Sequence, residues 1–315
     1  MLKQMGRAAL AAMAFAFGGR DACAQGGAAS LLVTPTQLSR ELEDPSLVLL
    51  YVGPKEDYEA GHIAGARFVG FADFVVDDSV TKRVYDLPDE ADLRQRLERV
   101  GISDKSRVVV IPGADWGSPA TRLVFTLQAA GLGARTRLLD GGSRGWVRAG
   151  LPVTKDVPPP AKHGKLTLAQ DRSIVVDASW VQAHEKAPGI KIIDARAPVF
   201  YEGPGMKRGN MEHKAGHIAG AANIPFNTLF DDSLHFLPID EIRRTFADAG
   251  VAPGDTVVAY CHIGQQATMV LFNARLIGHP VKLYDGSMDD WQAKQLPLEN
   301  ATAPKQPGGR GAGRR

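Results

Sequence analysis

The sequence predicts an α/β protein built from two tandem copies of one domain, each a parallel sheet flanked by helices on both faces. Three observations lead there. The segment Gly61-His62-Ile63-Ala64-Gly65-Ala66 returns unchanged as Gly216-His217-Ile218-Ala219-Gly220-Ala221, one domain length further on rather than at a solenoid period. Asp140-Gly141-Gly142 with Trp146 is echoed by Asp285-Gly286-Ser287 with Trp291, in the same order within each copy. Short continuous apolar runs alternate with amphipathic stretches, the pattern of a parallel sheet covered on both sides.

In chain order, Lys3 and Arg7 precede the apolar run Ala8–Phe17, and Ala22-Cys23-Ala24 supplies a small-residue site before Gln25. A basic start, a short apolar core and such a site predict a signal peptide over residues 1–24, cleaved before Gln25, and hence a periplasmic or secreted protein. The run falls short of the roughly 20 residues that a spanning helix needs, so no stable membrane insertion is expected after cleavage. The first copy follows over 31–155. Its strands are read at Leu47–Val52, Val108–Ile111 and Arg137–Leu139, and its helices at Glu90–Val100 and Ser118–Ala130. Pro158-Pro159-Pro160 and the polar residues after it mark a linker over 156–169. The second copy, over 170–300, repeats the order with strands Ile190–Ala195, Val257–Tyr260 and Val281–Tyr284 and helices Asp240–Ala249 and Gln266–Ile277. Residues 301–315 close the chain as a Gly-rich basic tail that can form no core.

Composition excludes several functional classes. Of the 315 residues 44% are hydrophobic and 23% charged, a globular balance, and a formal net charge of +2 gives no ground for nucleic-acid binding. Only two cysteines are present, which excludes a disulfide scaffold and any multi-cysteine zinc or iron–sulfur site. Without Cys23 the mature chain keeps one thiol, Cys261.

That thiol stands where a strand gives way to a helix. Val257–Tyr260 runs into Cys261-His262-Ile263-Gly264-Gln265-Gln266 before the next helix begins. Ligands bind at the carboxyl ends of strands in open α/β sheets. The amides of a short loop and the positive end of the following helix stabilise an anion there and favour a thiolate. Gly264 permits the sharp loop. Position alone leaves a buried structural cysteine as an equal alternative.

Together, Asp194-x-Arg196, Gly216-His217-Ile218-x-Gly220-Ala221, Tyr260-Cys261-x-x-Gly264 and Asp285-Gly286 with Trp291 resemble the rhodaneses, the tandem-domain sulfurtransferases of the thiosulfate or 3-mercaptopyruvate type. The resemblance implies a five-stranded parallel sheet in each domain. It also implies transfer of a sulfane sulfur through a Cys261 persulfide, from a small anionic donor to a thiol or cyanide acceptor. On that basis Cys261 is the nucleophile, Arg196 binds the anionic donor, and His262, Ile263, Gly264, Gln265 and Gln266 form the binding loop. Asp194 supports the region as a hydrogen-bonding organiser. A merely structural Arg196, salt-bridged within Asp194-x-Arg196, is the competing expectation. His62 and His217 recur in both copies and read as structural. In the first copy Pro112 takes the place of Cys261 and the loop is longer, so that copy is catalytically silent. A non-cycling persulfide carrier or sulfur-binding module is the alternative function. A phosphatase of related fold is disfavoured because the loop ends Gln266-Ala267 without an arginine.

Overall fold

The computed structural model describes residues 31–79, 83–113, 117–202, 206–208, 211–213 and 215–299. The signal-peptide segment and the basic tail lie outside the described residues. The first domain contains β1 (Leu32–Val33), α1 (Pro35–Ser39), β2 (Leu47–Val52), α2 (Lys55–Ala60) and β3 (Arg67–Phe68). It continues through α3 (Glu90–Arg99), β4 (Arg107–Pro112), α4 (Ser118–Leu127), β5 (Thr136–Leu139) and α5 (Gly142–Arg148). The second contains β6 (Val175–Val176), α6 (Ala178–His184), β7 (Ile190–Asp194), α7 (Pro198–Tyr201), the hairpin β8 (Met206–Arg208) and β9 (Met211–His213), and β10 (Ala222–Asn223). It ends with α8 (Ile239–Asp248), β11 (Thr256–Tyr260), α9 (Ala267–Leu276), β12 (Val281–Tyr284) and α10 (Ser287–Ala293).

Each domain carries a five-stranded sheet, ordered β1-β5-β4-β2-β3 in the first and β6-β12-β11-β7-β10 in the second. Every pairing within the two sheets is parallel. The two orders are the same topology. The central strands are apolar on both sides because helices cover both faces. Val108, Val109, Val110 and Ile111 are wholly buried, as are Val257, Val258, Ala259 and Tyr260.

Local chemistry starts the helices where the chain turns. Asp89 accepts the N–H of Asp92 at 2.9 Å at the head of α3, and Asp177 accepts that of Trp180 at 2.8 Å at the head of α6. Helices α4 and α9 are apolar nearly all round and correspondingly buried. They pack against each other between the domains, where the Thr121 and Thr268 hydroxyls meet at 2.9 Å. One core therefore runs through both domains, from Leu50 and Val110 to Val257 and Leu271. A smaller cluster lies on the outer face of each sheet, around Trp146 and around Trp291.

The helix read over Ser118–Ala130 stops at Leu127, and a wider turn over Gln128–Leu132 follows, with Gly131 at φ 77°. The linker lies along the first domain rather than hanging free. Arg67 donates to the Pro159 carbonyl at 2.8 Å, the Leu166 N–H donates to Glu98 at 2.8 Å, and Leu166 and Leu168 enter the core.

The repeated Gly-His-Ile segments do the same work in both domains. His62 stacks on Tyr58 at 3.8 Å and places Nδ1 2.8 Å from the Tyr58 carbonyl oxygen. His217 stacks on Tyr201 at 3.9 Å with Nδ1 3.1 Å from the Tyr201 oxygen. Their backbones bridge to Thr154 and Glu299, tying down the end of each domain.

Candidate active site

Cys261 follows directly on β11, at the carboxyl edge of the second sheet, and is completely buried. Its backbone is fixed before its sulfur is. The Cys261 N–H donates to the Ser287 hydroxyl at 3.1 Å, and that hydroxyl donates to the Tyr284 carbonyl at 2.9 Å. The Cys261 and His262 carbonyls accept the N–H groups of Met288 and Asp289, both at 3.1 Å. Ser287 holds a left-handed φ of 52° to make these contacts. A strained non-glycine residue of this kind persists where its surroundings over-determine it.

The loop then turns back over the sulfur. Burial pushes the Cys261 thiol up, while the backbone N–H groups of Ala267, Ile263, Gln266 and Gly264 act on the sulfur in the opposite direction. Burial wins. The thiol is thus held above its ordinary range inside a cradle of donors that suits an anionic sulfur, which sets burial against the thiolate-favouring loop expected from the sequence. Gly264 sits at φ 83°, and a Cβ there would lie 2.6 Å from both the carbonyl and a carboxylate oxygen of Asp285. Gly264→Ala is therefore expected to destabilise the protein by about 1–3 kcal/mol and to remove most sulfur transfer. Thermal melts with turnover on the same samples check this.

The other expected site residues are placed as follows. Asp194, at the end of β7, and Arg196 are both buried and form a forked pair. Arg196 Nε donates to the Asp194 carboxylate at 3.0 and 3.1 Å, and Nη2 donates to it at 2.6 Å. The same Nη2 donates to the Gly216 carbonyl at 2.6 Å. The guanidinium lies 5.9 Å from the Tyr260 ring centre. Burial opposes its charge, but Asp194 outweighs burial, and Tyr260 and Cys261 add to the field, so Arg196 is held above its usual value. Arg196 thus fastens the edge of the site and projects positive charge toward Cys261. The His262 ring packs edge-on against Phe200 at 4.7 Å. Ile263 borders an open cleft of about 270 Å³ shared with Arg83, Val84 and Asp289. Gln265 is buried, and its carbonyl accepts the Thr268 hydroxyl at 2.7 Å. Gln266 opens α9.

Sequence reasoning missed two residues. Ser287 was legible only as part of the repeated Asp-Gly motif. Arg122 lies on α4 of the first domain, wholly buried, and pairs with Asp285 at 2.5 and 3.1 Å. A single charged residue in an otherwise uncharged, wholly buried helix was the available signal.

The first copy lacks each part in turn. Pro112, which has no N–H, stands in the place of Cys261, and Gly142, which has no hydroxyl, stands in the place of Ser287. Gly142 has φ 55°, and a Cβ there would meet the Pro112 carbonyl at 2.6 Å. Gly53 and Gly113 pinch together so closely that a Cβ on Gly53 would lie 2.6 Å from the Gly113 Cα. Residues 114–116 of the longer loop lie outside the described residues.

The rhodanese-like domain family matches twice, over residues 34–149 and 177–294. The chain belongs to the rhodanese family. A probable 3-mercaptopyruvate sulfurtransferase of Pseudomonas aeruginosa is 33% identical over 82% of this chain and 94% of its own length. The thiosulfate sulfurtransferase of Gallus gallus is 28% identical over 79% and 84%. A sulfur carrier protein, TtuD, of Thermus thermophilus is 30% identical over 83% and 93%. Among solved structures, YnjE superimposes with a TM-score of 0.77 at 21% identity, covering 89% of this rhodanese chain and 70% of that one. That last likeness bears on the fold. The family and its relatives make this rhodanese a sulfurtransferase.

Proposed function

We propose that this rhodanese moves a sulfane sulfur from a small anionic donor, thiosulfate before 3-mercaptopyruvate, to a thiol or cyanide through a persulfide on Cys261. The observation that supports it best is the placement of one thiol under converging backbone donors in one copy, against a proline in the other. In the first half-reaction the Cys261 thiolate attacks the outer sulfur of thiosulfate. A sulfur–sulfur bond forms to Cys261, the donor's own sulfur–sulfur bond breaks, and sulfite leaves with the electron pair. The loop amides of Ile263, Gly264, Gln266 and Ala267 hold the terminal sulfur as an anion. In the second, cyanide or a thiolate attacks that terminal sulfur, the persulfide bond breaks, and the Cys261 thiolate is regenerated. Two separated half-reactions give ping-pong kinetics. The reaction as written uses no metal or organic cofactor.

The loop His262-Ile263-Gly264-Gln265-Gln266 adds no cation of fixed charge. With Arg196 paired to Asp194, the loop amides are what favour an anionic donor, and they do so without selecting its shape. Initial rates with thiosulfate and with 3-mercaptopyruvate, cyanide as acceptor, test the donor assignment. The expected result is the higher kcat/KM for thiosulfate, and the reverse order would reassign the donor. A carrier would load sulfur once and fail to cycle with either.

We also propose that the protein is exported. Lys3, Arg7, the Ala8–Phe17 run and Ala22-Cys23-Ala24 support this. No helix among the described residues is long and apolar enough to cross a membrane. N-terminal sequencing of protein from the source cell is expected to begin at Gln25, and active protein retaining Met1 in the cytosol would refute export.

A further inference from the structure

The two domains meet across an approximate two-fold relation, and one break in it lies against the catalytic loop. From the first domain, Leu87, two residues after Tyr85, reaches the second: the Leu87 N–H donates to Asp285 at 3.2 Å. From the second, the matching Leu234 and Phe236 reach the first: the Phe236 N–H donates to Asp140 at 3.0 Å, and the Leu234 carbonyl accepts the Gly141 N–H at 3.2 Å. Tyr85 and Leu234 even share a left-handed backbone, with φ of 65° and 61°. Thr121 and Thr268 meet each other at the middle of the relation. The residues that follow them differ. In the second domain Met269 presents an apolar side chain toward Gly117. In the first, the residue is Arg122.

Arg122 gathers three groups at once. It donates to both Asp285 carboxylate oxygens, to the Tyr85 carbonyl, and to the Gly264 carbonyl at 3.3 Å. Gly264 is the loop residue whose N–H acts on the Cys261 sulfur and whose backbone needs a positive φ. The Gly264 carbonyl belongs to the peptide that lies between the Gly264 N–H and those of Gln266 and Ala267, all of which act on the sulfur. Holding that peptide plane limits the rotations on either side of it and so constrains where these neighbouring N–H groups aim. An ion pair as buried as Arg122–Asp285 is weak evidence for stability, because apolar replacements of such pairs are often no less stable. The matching methionine shows that this interface accepts one. The planar fork of arginine reaches several acceptors in fixed directions, which neither methionine nor lysine reproduces.

We propose that Arg122, supplied by the catalytically silent domain, is a positioning residue for sulfur transfer: it holds the Gly264 carbonyl so that the loop N–H groups converge on the Cys261 sulfur. The proposal rests on the persulfide reading above. It gives the silent domain a part in the chemistry that packing alone does not.

Two full-chain variants separate this role from charge balance. Arg122→Lys keeps a cation beside Asp285 but cannot hold Gly264, Tyr85 and Asp285 together. The double variant Arg122→Met with Asp285→Asn removes both charges and leaves no buried carboxylate unpaired. Thermal melts, persulfide loading from thiosulfate by stopped-flow, and the pH midpoint of Cys261 alkylation by iodoacetamide are measured on each. Both variants are expected to melt within a few degrees of the unmodified protein. Both are expected to load sulfur at least about ten-fold more slowly, with the alkylation midpoint displaced to higher pH as the donors lose their aim. Loading and midpoint unchanged in the double variant would overturn the proposal and leave Arg122 as the partner of Asp285 only. A double variant that fails to fold while Arg122→Lys loads sulfur normally would overturn it equally. The persulfide reading fails separately, if the unmodified protein loads no sulfur at all.

Discussion

Cys261→Ser is expected to reduce sulfur transfer to background while leaving the melting temperature within a few degrees of the unmodified protein. The two side chains are close in shape, and the fixed points of this segment are backbone groups. Its N–H is held by Ser287 and its carbonyl by Met288, and neither contact involves the sulfur. What disappears is the nucleophile. A serine hydroxyl in this completely buried position is a far weaker nucleophile than a thiolate, and it cannot carry a sulfane sulfur through a second half-reaction. The loss should appear in kcat for every donor, since the same atom is attacked and regenerated whichever anion delivers the sulfur. Turnover retained in this variant, measured as thiocyanate formed from thiosulfate and cyanide, would remove Cys261 from the mechanism.

Arg196→Ala is expected to have the largest effect on stability. Both partners are buried, and the substitution leaves the Asp194 carboxylate without its forked donor and the Gly216 carbonyl without its Nη2 contact. Breaking a buried pair by removing one member costs about 3–5 kcal/mol, which in a protein of this size lowers Tm by roughly 10 °C. Since Gly216 begins the segment that packs beside Tyr260, the frame loosens next to Cys261, and sulfur loading and sulfur release should slow together. A direct donor contact gives a different pattern. Losing a charge-assisted hydrogen bond of about 1.5–3 kcal/mol raises KM for thiosulfate about 10- to 150-fold and spares release to a neutral thiol. With Nε and Nη2 committed to Asp194 and Gly216, the first pattern is the expected one, and an isolated rise in KM would restore the donor-binding role.

These two residues also show how far the chain could be read unaided. The strands at Leu47–Val52 and Val281–Tyr284 match the segments read from the sequence end for end, because a parallel strand covered on both faces is mostly apolar, with Lys282 the one charged residue of the second. The two-residue strands β1, β3, β6 and β10 had no such signature, since a pair of residues shows no period and their edge pairing is set by tertiary neighbours. Cys261 was legible from the strand-to-helix junction and from its replacement by Pro112. Its protonation was not, because complete burial is a property of the folded packing and opposes the donors that the loop sequence implies. Asp194 and Arg196 were legible as a pair, but spacing does not tell whether a guanidinium faces solvent or a carbonyl across the site. Arg122 and Ser287 were silent for a related reason: each acts on a loop distant in sequence, from a helix that otherwise reads as ordinary core.

Intact mass of the full chain tests the central claim most directly. After thiosulfate and removal of excess donor, the protein should gain one sulfur atom, located on the peptide containing Cys261, and sulfite should appear in equal amount. Adding cyanide should return the mass to its starting value and release one thiocyanate per chain. A chain that gains no sulfur, or that gains it on any residue other than Cys261, would contradict transfer through a Cys261 persulfide.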